Sequence, residues 1–139
     1  MLRLEGLSCG YGPMQAARGL DLEVTERGIT ALLGANGAGK SSTIMCIAGH
    51  VRVHAGRVIY KGEDIIRLSP MERVKNGIAI VPEGRRLFSS LSVKENLIVG
   101  GYSRPKAHTG SGMDRVLNIF PRLAERLGQS AGSLSGGEQ

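Results

Sequence analysis

Gly34-Ala35-Asn36-Gly37-Ala38-Gly39-Lys40-Ser41 brings three glycines, a lysine and a hydroxyl together within eight residues. Phosphate chains carry dense negative charge, and glycine lets bare backbone N–H groups approach it with no side chain in the way. Gly34, Gly37 and Gly39 supply that freedom, and Asn36, Ala38 and Ser42 complete the set of candidate nucleotide contacts. Lys40 can reach the outer phosphates as a point charge, and the Ser41 hydroxyl can ligate magnesium. A helix opening at this point adds its partial positive charge. The chemistry is therefore grip on a nucleoside triphosphate with Mg2+. Taken alone, it leaves kinases, GTPases, helicases and transport ATPases all open.

The flanking sequence must place this loop between a strand and a helix. Residues 29–33 form a short apolar run after the Glu26-Arg27-Gly28 turn, read as a strand buried on both faces that leads straight into the glycines. Beyond the loop, Ile44, Ile47 and Ala48 recur at helical spacing, and Gly49 sits where a left-handed stop belongs. Upstream, Leu2 and Leu4 alternate with Arg3 and Glu5, and Leu20, Leu22 and Val24 with Asp21 and Glu23. That is the period of half-buried, antiparallel strands.

Residues 56–60 read as a further strand, ended by a turn over 61–64. Ser69-Pro70-Met71-Glu72 has a cap, a first-turn proline and a glutamate three residues on, predicting a capped helix to about Asn76 with Gly77 as its stop. Residues 78–81 are expected to be a buried strand cut off by Pro82. Ser92-Val93-Lys94-Glu95 is a second capping box opening a short helix towards Gly100. The glycine-rich stretch 100–112 reads as a loop. Helical spacing returns at Met113, Val116, Leu117 and Phe120 before Pro121 breaks it. Strand-rich and helix-rich parts meet near Pro82, dividing one module into 1–81 and 82–139.

The 139 residues are enough for one domain, and 41% hydrophobic with 22% charged residues is a globular balance. No apolar run approaches the roughly 18 residues of a membrane span. The N-terminus lacks the basic-then-apolar order of a secretory signal, so a cytoplasmic location is expected. Cys9 and Cys46 have no metal-ligand spacing and read as ordinary small buried or half-buried residues. The charge of +6 is spread along the chain, and three Tyr, two Phe and no Trp offer little to stack on bases. Nucleic acid is therefore not an expected partner.

Leu134-Ser135-Gly136-Gly137-Glu138-Gln139, at this distance from the glycine loop, resembles the signature of ATP-binding cassette (ABC) proteins, and the resemblance runs over the whole chain. It implies an α/β P-loop NTPase core with an N-terminal antiparallel β part and a helical subdomain. Tyr11 lies where the family places an aromatic that stacks on adenine; packing at a strand end is the plainer use. Val81-Pro82-Glu83-Gly84-Arg85-Arg86-Leu87-Phe88 is similar to the matching stretch in ATPase subunits of branched-chain amino-acid importers. Glu83 stands where many ABC proteins have glutamine, and would be a catalytic candidate beside Lys40 and a magnesium candidate beside Ser41.

The family implies a nucleotide sandwich. Ser135, Gly136 and Gly137, at a helix N-terminus, would donate to the γ-phosphate held by a paralogous partner's glycine loop. Transmembrane permease subunits would be the other partners, with the chain peripheral on the inner membrane face and Arg85 and Arg86 as candidate contacts. The family's remaining magnesium carboxylate, water-positioning residue and switch histidine follow the signature, so these 139 residues are expected to bind Mg-ATP weakly at best and not to turn it over. His50, His54 and His108 precede the signature and read as solvated loop positions. Other ABC transporters, for urea or amides or for export, and a non-catalytic nucleotide-binding module, are the alternative readings.

Overall fold

The computed structural model describes residues 2–103 and 109–139, which fall into two compact units, Met1–Ile80 and Val81–Gln139.

The first unit is built on β1 (Leu2–Tyr11), β2 (Met14–Val24), β3 (Arg52–Tyr60) and β4 (Glu63–Asp64), an antiparallel sheet in the order β2-β1-β3-β4. The alternation at the open end of the β1–β2 hairpin gives the pairs Leu2 with Val24 and Leu4 with Leu22. In the middle the period breaks. Leu4 and Leu7 are an odd number of residues apart, yet both are fully buried. An irregularity between them supplies the extra residue, with Gly6 at φ 53, so the inward face is regained at Leu7. Side chains stabilise the bulged hairpin: Asp21 accepts from the Gly6 amide at 2.7 Å and Ser8 from the Gly19 amide at 3.0 Å.

Leu4, Leu7, Cys9, Val58 and Ile65 close the core with Cys46 and Val51, so the helix α1 (Lys40–Ile47) is packed against the sheet by its Cys46 face. Each such Leu contributes on the order of 2 kcal/mol by leaving water. Both cysteines are free and buried. Burial pushes the Cys46 thiol up to about 12 and raises that of Cys9 as well, so both stay protonated and unreactive.

The helix α2 (Pro70–Lys75) follows with the expected box: Ser69 caps it, and Glu72 accepts from the Ser69 amide at 2.7 Å and hydroxyl at 2.6 Å. In the second unit α3 (Val93–Gly100) opens the same way through Ser92 and Glu95, again at 2.7 and 2.6 Å. These bonds hold the Glu72 and Glu95 carboxyls below the usual range. A depressed native pKa gives stability that is present above the unfolded value, near 4.5, and lost as pH falls through the native one. Ser92→Ala is expected to cost about 1 kcal/mol at pH 7 and less at pH 3, read by urea titration at both pH values. An equal cost at both would show that the carboxylate adds nothing to the cap.

The helix α4 (Thr109–Ile119) and short α5 (Pro121–Ala124) complete the second unit, joined where Pro121 ends the first. Segment 89–94 runs against 127–132: Val93 donates to Gln129, Lys94 to Leu127, Ala131 to Leu91 and Gly132 to Ser89. Val93, Ala131 and Leu134 are buried in this unit.

Several expectations are corrected. Residues 29–33 and 78–81 are not strands. Ile29, Leu33 and Val81 are 101%, 87% and 94% exposed. A strand requires a neighbour to take its backbone groups, and among the described residues the sheet ends at β2 and β4, with neither run beside it. The loop expected over 100–112 is partly helical, since Gly100 closes α3 and 109–112 open α4. The Met113, Val116 and Leu117 stripe extends the helix upstream against the roughly 1 kcal/mol cost of each glycine. His50 is exposed as expected, but His54 lies half-buried on β3, its Nε2 unbonded among the described residues. Residues 104–108, including His108, lie outside the described residues.

Candidate nucleotide site

Helix α1 begins differently from α2 and α3. Its N-cap is Gly39, in the left-handed region, and no side chain bonds back to its first turn. The amides that serine and glutamate satisfy elsewhere are here left open, and an anion fits that vacancy of donors. The first turn carries no acidic residue to repel one.

The loop is held around this helix end. Gly37 and Gly39 have φ of 83 and 85. A Cβ on Gly39 would stand 2.3 Å from the Ala16 carbonyl oxygen, so only glycine lets the loop lie on β2. Thr43, fully buried, returns both its amide (2.8 Å) and its hydroxyl (2.9 Å) to the Gly39 carbonyl. Lys40 Nζ bridges the Gly34 and Ala35 carbonyls at 2.8 and 2.7 Å, spanning the loop from within. Ala38 donates to Ala35 at 3.2 Å, and Asn36 and Gly37 form the exposed turn between them. Ser41 is exposed at the helix start, and Ser42 is half-buried, its carbonyl meeting the Cys9 thiol at 3.8 Å.

Through Cys9 on Ser42 and Gly39 on Ala16, the β1–β2 hairpin runs along the loop. Tyr11, at the hairpin's end and 56% exposed, is paired with Met14. The donors, the lysine, two hydroxyls and an exposed aromatic thus belong to one unit, and this donor set fits a triphosphate with Mg2+. Thr43 is the residue sequence reasoning missed here; a hydroxyl four places after the last loop glycine is its signal.

Glu83 and the signature lie in the second unit. Glu83 is exposed in a turn with Gly84. Ser135, Gly136 and Gly137 are exposed, and Gln139 donates its amide to the Ser135 carbonyl at 3.1 Å, the i→i−4 spacing of a helical turn. Glu138 accepts from the Ser135 amide (3.0 Å) and hydroxyl (2.7 Å), which holds its carboxyl below the usual range, and pairs with Arg126 at 3.4 Å. This repeats the α2 and α3 caps, so the same Ser-x-x-Glu spacing could have flagged it.

A glycine loop closed by lysine on an uncapped helix, packed on an antiparallel sheet, defines a P-loop nucleotide-binding α/β protein. The ABC transporter family model matches residues 17–139, and the chain belongs to that family. It is 45% identical over its whole length to the high-affinity branched-chain amino acid transport ATP-binding protein BraG of Pseudomonas aeruginosa, and 37% to the probable branched-chain amino acid transport ATP-binding protein LivF of Archaeoglobus fulgidus. The chain spans 60% and 59% of those relatives. A nucleotide-free ATP-binding cassette of an ABC transporter superposes with a TM-score of 0.84 at 27% identity, over 99% of this chain and 60% of that one. The ADP conformation of MJ1267, an ATP-binding cassette of an ABC transporter, gives 0.81 at 26%, with the same two coverages.

Proposed function

We propose that this chain is the ATP-gripping part of an importer subunit that couples ATP binding and hydrolysis to uptake of branched-chain amino acids. The uncapped α1 terminus enclosing Lys40 carries the nucleotide reading, and the likeness to BraG and LivF carries the solute class.

In this reading the open amides of α1 and the Lys40 ammonium bind the triphosphate, and Tyr11 stacks on adenine. The Ser41 hydroxyl and the Glu83 carboxylate are the candidates for Mg2+, which when bound offsets phosphate charge. Ser135, Gly136 and Gly137 serve the γ-phosphate gripped by a second, paralogous ATP-binding subunit, so ATP holds a head-to-tail pair together. Permease subunits meet the segment around Glu83 and place the chain on the inner face of the membrane; no helix among the described residues is long and apolar enough to cross it. These 139 residues by themselves bind Mg-ATP weakly at best and do not turn it over.

Disrupting the gene is expected to abolish high-affinity uptake of labelled leucine, isoleucine and valine while leaving phosphate and ribose uptake unchanged. Retained leucine uptake with loss of another solute would reassign the substrate.

A further inference from the structure

Three successive residues in the second unit, Gly84, Arg85 and Arg86, have φ of 76, 61 and 46. Glycine adopts this region freely, whereas a side chain there is strained. Two arginines in a row therefore occupy positions that glycine would suit better as backbone, and what arginine at 85 adds is its guanidinium. That group reaches the signature turn. Its Nη1 donates to Gln139 Oε1 at 3.3 Å, and its Nη2 lies so close to Gly136 that a Cβ there would stand 2.6 Å away. Gln139 is itself anchored, its Nε2 donating to Leu134 at 3.0 Å and to Ala131 and Gly132 at 3.4 Å. Gly132 in turn donates to Ser89, four residues beyond Arg85. The turn is held from one side by Glu138 on Ser135 and from the other by Arg85.

We infer that Arg85 is a positioning residue for the signature turn, its planar fork setting the presentation of Gly136 and Gly137 while the strained backbone aims it. This rests on the reading of 135–137 as half of a partner's ATP site. An exposed hydrogen bond to a neutral acceptor adds little stability, so the role shows in turnover. Arg85→Gly separates the two effects, because it relieves the backbone strain while deleting the fork.

The test uses the whole subunit assembled with its partner and permease. Arg85→Gly is expected to keep or raise the urea midpoint and to leave binding of a fluorescent ATP analogue at its own glycine loop within about twofold. Hydrolysis should fall about tenfold, the scale at which a displaced positioning contact is felt. Arg85→Lys should stay low, because an ammonium cannot span Gly136 and Gln139. Unchanged turnover in Arg85→Gly, or full activity in Arg85→Lys, would overturn the inference. Gly137→Asp in the same assembly is the control. If it keeps normal hydrolysis, the reading of the signature falls and this inference with it; if it collapses while Arg85→Gly does not, only the role of Arg85 is refuted.

Discussion

Arg73→Met is expected to lower stability by about 3 kcal/mol, a larger loss than any exposed substitution in the chain would give. Arg73 is a charged residue only 3% exposed, and it spends its donors on backbone carbonyls. Nη1 bonds Cys46 (2.7 Å) and Ile47 (2.8 Å) at the C-terminal end of α1, Nη2 bonds Ile66 (3.1 Å) and Nε bonds Leu68 (3.0 Å). The helix end thus gains a cation where its dipole is negative, and the 66–68 loop is tied to it through one side chain. Burial lowers the guanidinium pKa, a cost that the Coulombic effect of Asp64 partly offsets. Methionine would remove that cost and keep the stem. Four carbonyls would nonetheless lose a charge-assisted partner, each worth about 1.5–3 kcal/mol, and the lost bonds outweigh the regained solvation. At an m-value of about 2 kcal/mol/M, the urea midpoint should fall by about 1.5 M. Arg73→Lys should recover only part, since one ammonium cannot reach both the α1 end and the 66–68 loop. An unchanged midpoint in Arg73→Met would mean that water replaces the guanidinium without cost.

What the sequence revealed was what neighbouring residues decide. Ser69 with Glu72 and Ser92 with Glu95 are local caps, and both formed. The glycine spacing from 34 to 39 is equally local. The hairpin strands were legible at their open end, where alternation holds, but not from Gly6 onward, where inserted residues change which positions face inward. Apolar content alone misassigned 29–33 and 78–81, because a strand depends on a distant partner and not on its own side chains. Arg73 was invisible for the same reason. In a six-residue helix it reads as a surface charge, and its burial depends on carbonyls 26 and 27 residues upstream. The fork of Arg85 on Gly136 and Gln139 is likewise a pairing of segments about fifty residues apart. Family resemblance bridged part of that gap, since it pointed to the signature without giving the contacts around it.

Lys40→Met should cost at least about a hundredfold in ATP hydrolysis by the whole assembled subunit while leaving the fold intact. The two halves of this expectation come from different contacts. The start of α1 is fixed by Gly39 against Ala16 and by Thr43 on the Gly39 carbonyl, and neither involves the lysine side chain. Among the described residues the ammonium donates to the Gly34 and Ala35 carbonyls, in an exposed setting where such bonds add little stability. Its weight lies in the proposed complex, where a positive charge meets the outer phosphates away from bulk water. A charge-assisted bond of about 1.5–3 kcal/mol in binding corresponds to roughly ten- to a hundredfold weaker affinity, and stabilisation of charge during transfer adds to it. Circular dichroism and the urea midpoint should therefore match wild type while a fluorescent ATP analogue binds at least tenfold more weakly. The 139-residue chain gives the complementary measurement: nucleotide binding that is sensitive to Lys40→Met, with no sustained release of phosphate. Hydrolysis by those residues that disappears with Lys40→Met would show that the loop and Glu83 suffice for chemistry, and the division between grip and turnover would fall.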